Sequence, residues 1–292
     1  LRVSGTLDTP TLLNLMTPRC GRHDVVNGTS LMLMHHRDVR PWPYHHRPTF
    51  SPLGRFTLSA SAVATWPPSH RNAITYAFHP VNETSQVSAH ERREVFAHAF
   101  EEWAAVVPLS FTEIEDYSKA DIKIAFYQNA HGDGSPFDGR FGELAHALVW
   151  PPDPDNNQNP ASELHFDDAE SWSVMDSPPR EARSSSTDQI DLQSVALHEI
   201  GHVIGLEHSA VVKAVMYPSL NTWEVKAELT PDDIEGAQAI YGVNPSYDPS
   251  KPLPGVPQGF VNNGANAQPS CLILTLLCII IFHPSPTHVL VI

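Results

Sequence analysis

Cysteine is scarce in this sequence of 292 residues, and its placement limits how the chain can be cross-linked. The chain contains Cys20, Cys271 and Cys278, so residues 21–270 cannot hold a disulfide. A secreted domain without disulfides often depends on bound metal instead. The sequons that begin at Asn27 and Asn82 fit a secretory route and predict glycosylation of both asparagines.

Basic residues are also few, with 18 Lys and Arg against 33 Asp and Glu, which gives a net charge of −15. Such a charge disfavours nucleic acid as a partner. It indicates either an ordinary acidic surface or carboxylates that hold cations. The chain begins at Leu1 without a charged and apolar leader, so we expect any signal peptide to lie outside this sequence.

Regular secondary structure is predicted in the middle of the chain. Alternating and β-branched stretches predict strands at 74–78, 109–112, 121–126, 144–150 and 163–167. Helical spacing and capping residues predict helices over 88–107, 192–204 and 230–242. We therefore divide the chain into a leading segment 1–58, a folded domain 59–243, a Pro- and Gly-rich linker 244–270 and an apolar tail 271–292.

One eleven-residue motif carries the chemistry, and it reads HEIGHVIGLEH from His198 to His208. His198 and His202 are four residues apart, so a helix places both imidazoles on one face, where they can bind one zinc ion. Gly205 allows a sharp turn that can bring His208 back as the third ligand. Three nitrogens leave a fourth position open, as catalytic zinc requires. Glu199 lies beside that position and can act as the base that activates water for attack on a peptide carbonyl.

The motif resembles that of the metzincin zinc peptidases, and within them the matrixins or matrix metalloproteinases. Met216 lies eight residues after His208 and before Tyr-Pro, as the methionine of the matrixin Met-turn does. The resemblance implies an α+β metzincin fold with a twisted, mostly parallel sheet of five strands and three helices. It also implies hydrolysis of internal peptide bonds in extracellular proteins.

A second set of residues also suits metal. His131, Asp133, His146 and His165 make a closed set of four ligands, which suits structural zinc. The run from His131 to Gly139 resembles the structural-zinc and calcium loop of matrixins. That resemblance implies a Ca²⁺ site, and carboxylate oxygens suit this ion. Its ligands would be the side chains and carbonyl groups of Asp138, Asp167, Glu170, Gly139, Phe141 and Glu143. A second calcium site stays open, because residues 159–163 lack the expected glycines.

The stretch from Pro18 to Asp24 resembles the matrixin cysteine switch. A thiolate binds zinc well, so Cys20 can occupy the open position and keep the enzyme latent. Arg19 and Asp24 would pair and hold the loop. We expect an activating protease to cut between Arg40 and Ala60. Arg22 and His23 depart from the small or apolar residues that relatives carry at these positions.

The resemblance also implies where an extended substrate would bind. The sheet edge would be formed by Leu144, Ala145 and Ala147, next to the zinc helix. Pro218 and Leu220 would belong to the wall of the main specificity pocket, which takes an apolar side chain just after the cut bond.

The apolar run from Cys271 to Phe282 is 12 residues long, which is short for a membrane span. Small residues near Asn263 precede it, and the order resembles a glycosylphosphatidylinositol anchor signal. The alternative is a disordered or translated tail that carries no anchor signal. The layout resembles the short plant matrixins, which have no hemopexin-like domain. The rival interpretation from another class is a zinc-stabilised surface-binding protein without peptidase activity, which the intact Glu199 disfavours.

Overall fold

The computed structural model describes residues 17–22, 25–26, 29–30, 65–150, 161–174 and 188–254. All of them belong to one unit, Leu1–Phe260, whereas a second unit, Val261–Ile292, lies outside the described residues. The predictions for Asn27, Asp24, the activation cut and the apolar tail therefore fall on residues that are not described. Among the described residues, no helix has both the length and the apolar character needed to cross a bilayer.

The described residues form a main sheet of six strands: β1 (Arg19–Cys20), β4 (Ile74–Phe78), β5 (Phe111–Glu113), β6 (Ile122–Tyr127), β7 (Glu143–Trp150) and β8 (Ala161–Asp167). Neighbouring strands are hydrogen-bonded in the order β1-β7-β8-β6-β4-β5. Strand β7 runs antiparallel to β8, while the other pairings are parallel. Two smaller pairs are β2 (Val25–Val26) with β3 (Thr29–Ser30) and β9 (Trp172–Ser173) with β10 (Ile190–Asp191).

In the described residues, three α-helices pack with these strands: α1 (Ala89–Val106), α2 (Leu192–Val203) and α3 (Pro231–Tyr241). Ser88 and Glu91 form a capping box at the start of α1, and the Asp191 side chain accepts from Ser194 N–H at the start of α2. The predicted α+β fold, with its mostly parallel sheet and three helices, is confirmed. The sixth strand is an addition, because the two residues of β1 extend the sheet beyond the five predicted strands.

The core lies between the sheet and two helices, because α1 packs against β4 and β8 while α2 packs against β7 and α1. Trp103 of α1 is fully buried, and its indole Nε1–H donates to Leu197 O at 2.9 Å. Every residue of α2 except Gln193 is buried. A helix that is buried all round needs a reason for its polar side chains, since burying them unpaired is costly. Apart from Ser194, whose hydroxyl donates to Asp191 at the helix start, these side chains belong to the His198 motif, which gives a buried helix its polar residues.

Candidate metal centres and active site

Three motif histidines meet in space as their spacing predicts. His198 and His202 lie on consecutive turns of α2, with ring centroids 4.8 Å apart. Gly205 then adopts a φ of 94°, a left-handed conformation that glycine tolerates, and the chain turns back. This turn brings His208 Nε2 to 3.3 Å from His202 Nε2. The three rings therefore converge, and a set of three imidazole nitrogens fits zinc.

Backbone carbonyls orient two of these rings. His198 Nδ1 lies 2.7 Å from Val215 O, and His202 Nδ1 lies 2.7 Å from Leu206 O. A carbonyl oxygen can only accept, so each Nδ1 must carry the proton and donate. The Nε2 atoms are then the unprotonated ones, with a lone pair for a metal. This is the usual outer support of a zinc-binding histidine.

Glu199 is completely buried beside the three histidines. Among the described residues, neither of its carboxylate oxygens has a nitrogen or oxygen hydrogen-bond partner. Burial raises the pKa of Glu199 to about 7, partly offset by the neighbouring Cys20 thiol and the charge of His146. A buried carboxyl with unpaired oxygens and a pKa near neutral is suited to take up and release a proton.

Cys20 reaches the same point from a distant part of the sequence. Its Sγ lies 3.4 Å from His202 Nε2, and Arg22 N–H lies 3.4 Å from the same sulfur. The thiol is buried, and burial, followed by the charge of Glu199, raises its pKa well above the usual range. A cation bound by the three histidines would oppose that rise and favour the thiolate. The four donors form one cluster, which fits a zinc ion with Cys20 as its fourth ligand.

Residues 17–22, called the cleft segment below, lie between two backbone edges. On one side Arg19 N–H donates to Gly142 O at 2.8 Å and Gly21 N–H donates to Ala145 O at 2.9 Å. On the other side Cys20 N–H donates to Pro218 O at 2.9 Å, and Leu220 N–H donates to the carbonyl of Pro18 at 3.0 Å. The predicted substrate-contacting residues thus flank this groove, with Leu144 and Ala147 on the same strand β7.

A small cavity opens beside His198 and Glu199. Apolar side chains line much of it, among them Leu144, Val195 and Leu220. Lys226 also lines it, and its ammonium donates to Val212 O at 3.0 Å and Ser219 O at 3.2 Å. The cavity offers an apolar side pocket next to the histidine cluster, with a cation fixed in its wall.

Met216 lies beneath the zinc helix as its position in the sequence predicts, and it is 1% exposed. A Cβ atom at Gly201 would lie 2.2 Å from Met216 Sδ, so glycine is needed for this close packing. Asp233 holds the turn, because its carboxylate accepts from Val215 N–H and Met216 N–H, both at 3.0 Å. The spacing of Asp233 after Thr230 predicts a helix cap, whereas its hold on this turn depends on tertiary contact and has no signal in the sequence.

The second predicted cluster also comes together. Asp133 Oδ2 lies 2.8 Å from His131 Nε2, 2.8 Å from His146 Nε2 and 2.9 Å from His165 Nδ1. His146 and His165 are paired across β7 and β8, while the other two residues lie in the loop after β6. Four donors that all come from the chain itself fit a closed zinc site.

The three carboxylates predicted for calcium lie around the loop 138–143. Asp167 accepts from Gly139 N–H at 3.1 Å, Glu170 from Phe141 N–H at 2.5 Å, and Asp138 from Glu143 N–H at 3.0 Å. Burial, together with the charges of its acidic neighbours, raises the pKa of Glu170 to about 7. The loop thus brings acidic side chains together, but they do not converge as tightly as the two histidine clusters. Calcium stays a prediction.

Two charged residues of the site were not assigned a role from the sequence. The Arg22 guanidinium donates two hydrogen bonds to the Glu207 carboxylate, each of 2.6 Å. The departure of Arg22 from the pattern of the cysteine switch is the signal in the sequence that points to this pair.

Asn82, the described sequon residue, is half-buried, and its glycosylation stays a prediction.

Comparison with known proteins agrees with this geometry. The family model described as matrixin matches residues 65–242, which is more than half of the chain. The chain belongs to the matrixin family. The predicted family is thereby confirmed, and with it the expectation of a zinc metallopeptidase domain.

Individual matrixins extend the match beyond the domain. The chain is 42% identical to metalloendoproteinase 2-MMP of Arabidopsis thaliana over 85% of this chain and 61% of that protein. It is 35% identical to metalloendoproteinase 1 of Glycine max over 84% of this chain and 70% of that protein. Interstitial collagenase of Bos taurus is 34% identical over 87% of this chain and 42% of its own length. The chain therefore spans about three fifths of the Arabidopsis relative.

Proposed function

We propose that this chain is a zinc-dependent endopeptidase that is held latent by Cys20 and acts on extracellular proteins. The observation that carries the proposal is the buried Glu199 carboxylate. In the part of the chain that the structure describes, its oxygens have no nitrogen or oxygen partner, although three imidazoles and the Cys20 sulfur converge beside it. A structural zinc site has no use for such a carboxylate, since burying it unpaired is costly. A hydrolytic site needs it to hold a water and move a proton.

Each residue of the site has its own part in the proposed hydrolysis. His198, His202 and His208 would hold zinc, which when bound supplies a Lewis acid for the peptide carbonyl. Glu199 would accept a proton from the attacking water and deliver it to the leaving amine. The backbone edges at Ala145 and Pro218 would hold the substrate as an added strand, as they now hold the cleft segment. The side pocket beside Glu199 would take an apolar residue after the cut bond.

Latency follows from the place of Cys20. Its sulfur lies where the fourth ligand of the cluster is expected, and the cleft segment fills the groove by backbone hydrogen bonds on both sides. Substrate and cleft segment therefore compete for the same atoms. An activating protease would remove the segment by cutting between Arg40 and Ala60.

Further metals and the location of the protein belong to the same proposal. His131, Asp133, His146 and His165 would hold a second, structural Zn²⁺, which their mutual distances support. Asp138, Asp167 and Glu170 would hold Ca²⁺ with loop carbonyls. We also propose a secreted, glycosylated protein that a glycosylphosphatidylinositol lipid attaches to the membrane, which rests on the sequons and the tail.

The test uses the full chain and a fluorogenic peptide with leucine after the cut bond. We expect little activity from the wild type, high activity from Cys20→Ser, and a loss of about 100- to 10,000-fold when Glu199→Gln is added to Cys20→Ser. Zinc content should be equal in all three. Equal activity of wild type and Cys20→Ser would reject latency. Equal activity with and without Glu199 would reject the enzyme in favour of a zinc-stabilised binding protein.

A further inference from the structure

The second histidine cluster has a carboxylate behind one of its imidazole rings. His146 Nε2 lies 2.8 Å from Asp133 Oδ2, inside the cluster, whereas the other ring nitrogen, Nδ1, lies 2.5 Å from Glu143 Oε1. An ionised carboxylate can only accept, so this contact places the ring proton on Nδ1. The Nε2 atom is then the one that offers a lone pair to a zinc ion.

A second carboxylate lies behind another ring of the same cluster. His165 faces Asp133 Oδ2 with Nδ1, at 2.9 Å, and its Nε2 lies 3.3 Å from Glu163 Oε2. Among the described residues this buried Nε2 has no aligned hydrogen-bond partner, and Glu163 is the acid within ion-pair distance of it. Residues two apart on a strand share one face, which places Glu163 beside His165. The two carboxylates thus favour opposite tautomers, with Nε2 of His146 and Nδ1 of His165 turned to the metal.

The first cluster has neutral groups in the corresponding places. The outer nitrogens of His198 and His202 face the carbonyl oxygens of Val215 and Leu206, each at 2.7 Å. A carboxylate behind an imidazole raises the basicity of the ring as a metal ligand and brings a negative charge near the cation. Carboxylate support therefore favours firm retention of zinc in the second cluster. Carbonyl support leaves more positive charge on a zinc ion in the first.

We propose that Glu143 is a positioning residue for the second zinc ion, with Glu163 in the same role through a longer contact. Glu143 acts through His146, which it orients and makes a stronger ligand. The inference rests on the second zinc ion of the proposed function and goes beyond it, because it assigns two side chains outside the four ligands. This role of the Glu143 side chain is separate from the backbone carbonyl that the calcium prediction uses.

Glu143 has one other neighbour that a substitution would disturb. A Cβ atom at Gly21 would collide with the Glu143 carboxylate, so this side chain lies against the cleft segment next to Cys20. Glu143→Gln keeps the shape of the side chain, and therefore this packing, while it removes the negative charge behind His146. A change of zinc retention in this variant reports on the charge and not on the contact with Gly21.

The test follows the release of zinc from the zinc-loaded full chain to an excess of a coloured chelator. The release phase that is missing in His165→Ala belongs to the second cluster, because that variant lacks a ligand there. We expect Glu143→Gln to accelerate this phase about tenfold and to leave the other phase unchanged, and Glu163→Gln to accelerate it less. Glu113→Gln is the matched control, because Glu113 forms a 2.8 Å ion pair with Arg93 at the β5 edge of the main sheet.

The outcomes separate this inference from the proposal on which it rests. If His165→Ala loses no release phase, the second zinc ion and the role of Glu143 are both rejected. If the phase exists and Glu143→Gln releases this zinc no faster than Glu113→Gln does, the second zinc ion stands and the role of Glu143 is overturned. Equal acceleration of both phases would also overturn it, because the substitution would then have loosened the fold as a whole.

Discussion

The two histidine clusters use similar ligands but are built differently. The ligands of the first come from a helix, the turn after it and a cysteine 178 residues before its first histidine, whereas those of the second lie within residues 131–165. The first cluster borders a groove and a side cavity. The second joins the neighbouring strands β7 and β8 to the loop after β6.

This difference supports the proposal that the fourth donor can leave the first cluster and stays in place in the second. The fourth donor of the first cluster, Cys20, belongs to a segment that backbone hydrogen bonds and the Arg22–Glu207 ion pair hold against the described groove residues. The fourth donor of the second, Asp133, lies two residues from His131 and cannot leave without unfolding its loop. Similar donor sets can thus serve catalysis or stability, depending on how the last ligand is attached.

The largest expected effect tests the first cluster. In the Cys20→Ser chain, His202→Ala should lower kcat/KM by more than about 1,000-fold, because the metal that polarises the substrate loses a ligand. The melting temperature should fall by only a few degrees. Peptidase assays and thermal unfolding of the same preparations measure both quantities. A large loss of stability with activity retained would contradict the assignment of this cluster to catalysis.

His165→Ala tests the second cluster in the same chain. We expect one zinc ion fewer per molecule and a melting temperature lower by about 10 °C, since a closed site contributes directly to folding. Activity at low temperature should survive in part. Elemental analysis measures the zinc content, and calorimetry measures the melting temperature. If His165→Ala leaves stability unchanged while His202→Ala lowers it, the two roles are reversed.

Sequence predicted the parts of both clusters that depend on local spacing. His198 and His202 are fixed by the helical repeat, and Gly205 marks the turn that returns His208. The pairing of Arg22 with Glu207 was not predictable, because it depends on how segments 185 residues apart meet in space. In the sequence, nothing distinguishes Arg22 and Glu207 from charged residues that face solvent.

The sequence predicts Met216 below α2, but it does not predict which residue of the helix makes room for it. Gly201 reads as one variable position of the motif, yet its missing side chain makes room for Met216. Likewise, the sixth strand appears because two residues of the cleft segment happen to pair with β7. Such contacts follow from tertiary structure and leave no periodic pattern.

Gly201→Ala tests the packing of α2, which carries His198 and His202, against Met216. An alanine within a helix is normally more stable than glycine by roughly 0.5–1 kcal/mol. Here the added Cβ would meet Met216 Sδ at 2.2 Å, and Met216 is 1% exposed with little room to shift. We therefore expect a net loss of about 1–2 kcal/mol in the free energy of unfolding.

Chemical denaturation of wild type and Gly201→Ala gives this free energy directly. Adding Met216→Ala should recover part of the loss that the clash causes. A Gly201→Ala chain that is more stable than wild type would show that helix propensity decides at this position and that the close contact does not.

Glu102, a buried acid outside both clusters, should have the smallest effect on stability. It also serves as a control for Glu199, because its pKa is raised by burial as well. Glu102 of α1 is fully buried, and it accepts from Leu229 N–H at 3.3 Å. Burial, with some contribution from Glu228 and Asp233, raises the pKa of Glu102 to about 8. Because the folded chain holds this proton more tightly than the unfolded chain does, wild-type stability should fall as the pH rises from about 4.5 to about 8.

Glu102→Gln keeps an acceptor for Leu229 and removes the titration. Its own buried N–H group offsets part of the gain, so we expect a net stabilisation of about 1 kcal/mol at pH 8 that disappears near pH 4.5. Melting temperatures of both chains across this range, in the same metal-containing buffers, measure the difference. Loss of metal at low pH affects both chains alike. A difference that does not change with pH would mean that Glu102 is ionised in the folded chain, and a buried carboxylate could then persist here without any metal or catalytic role.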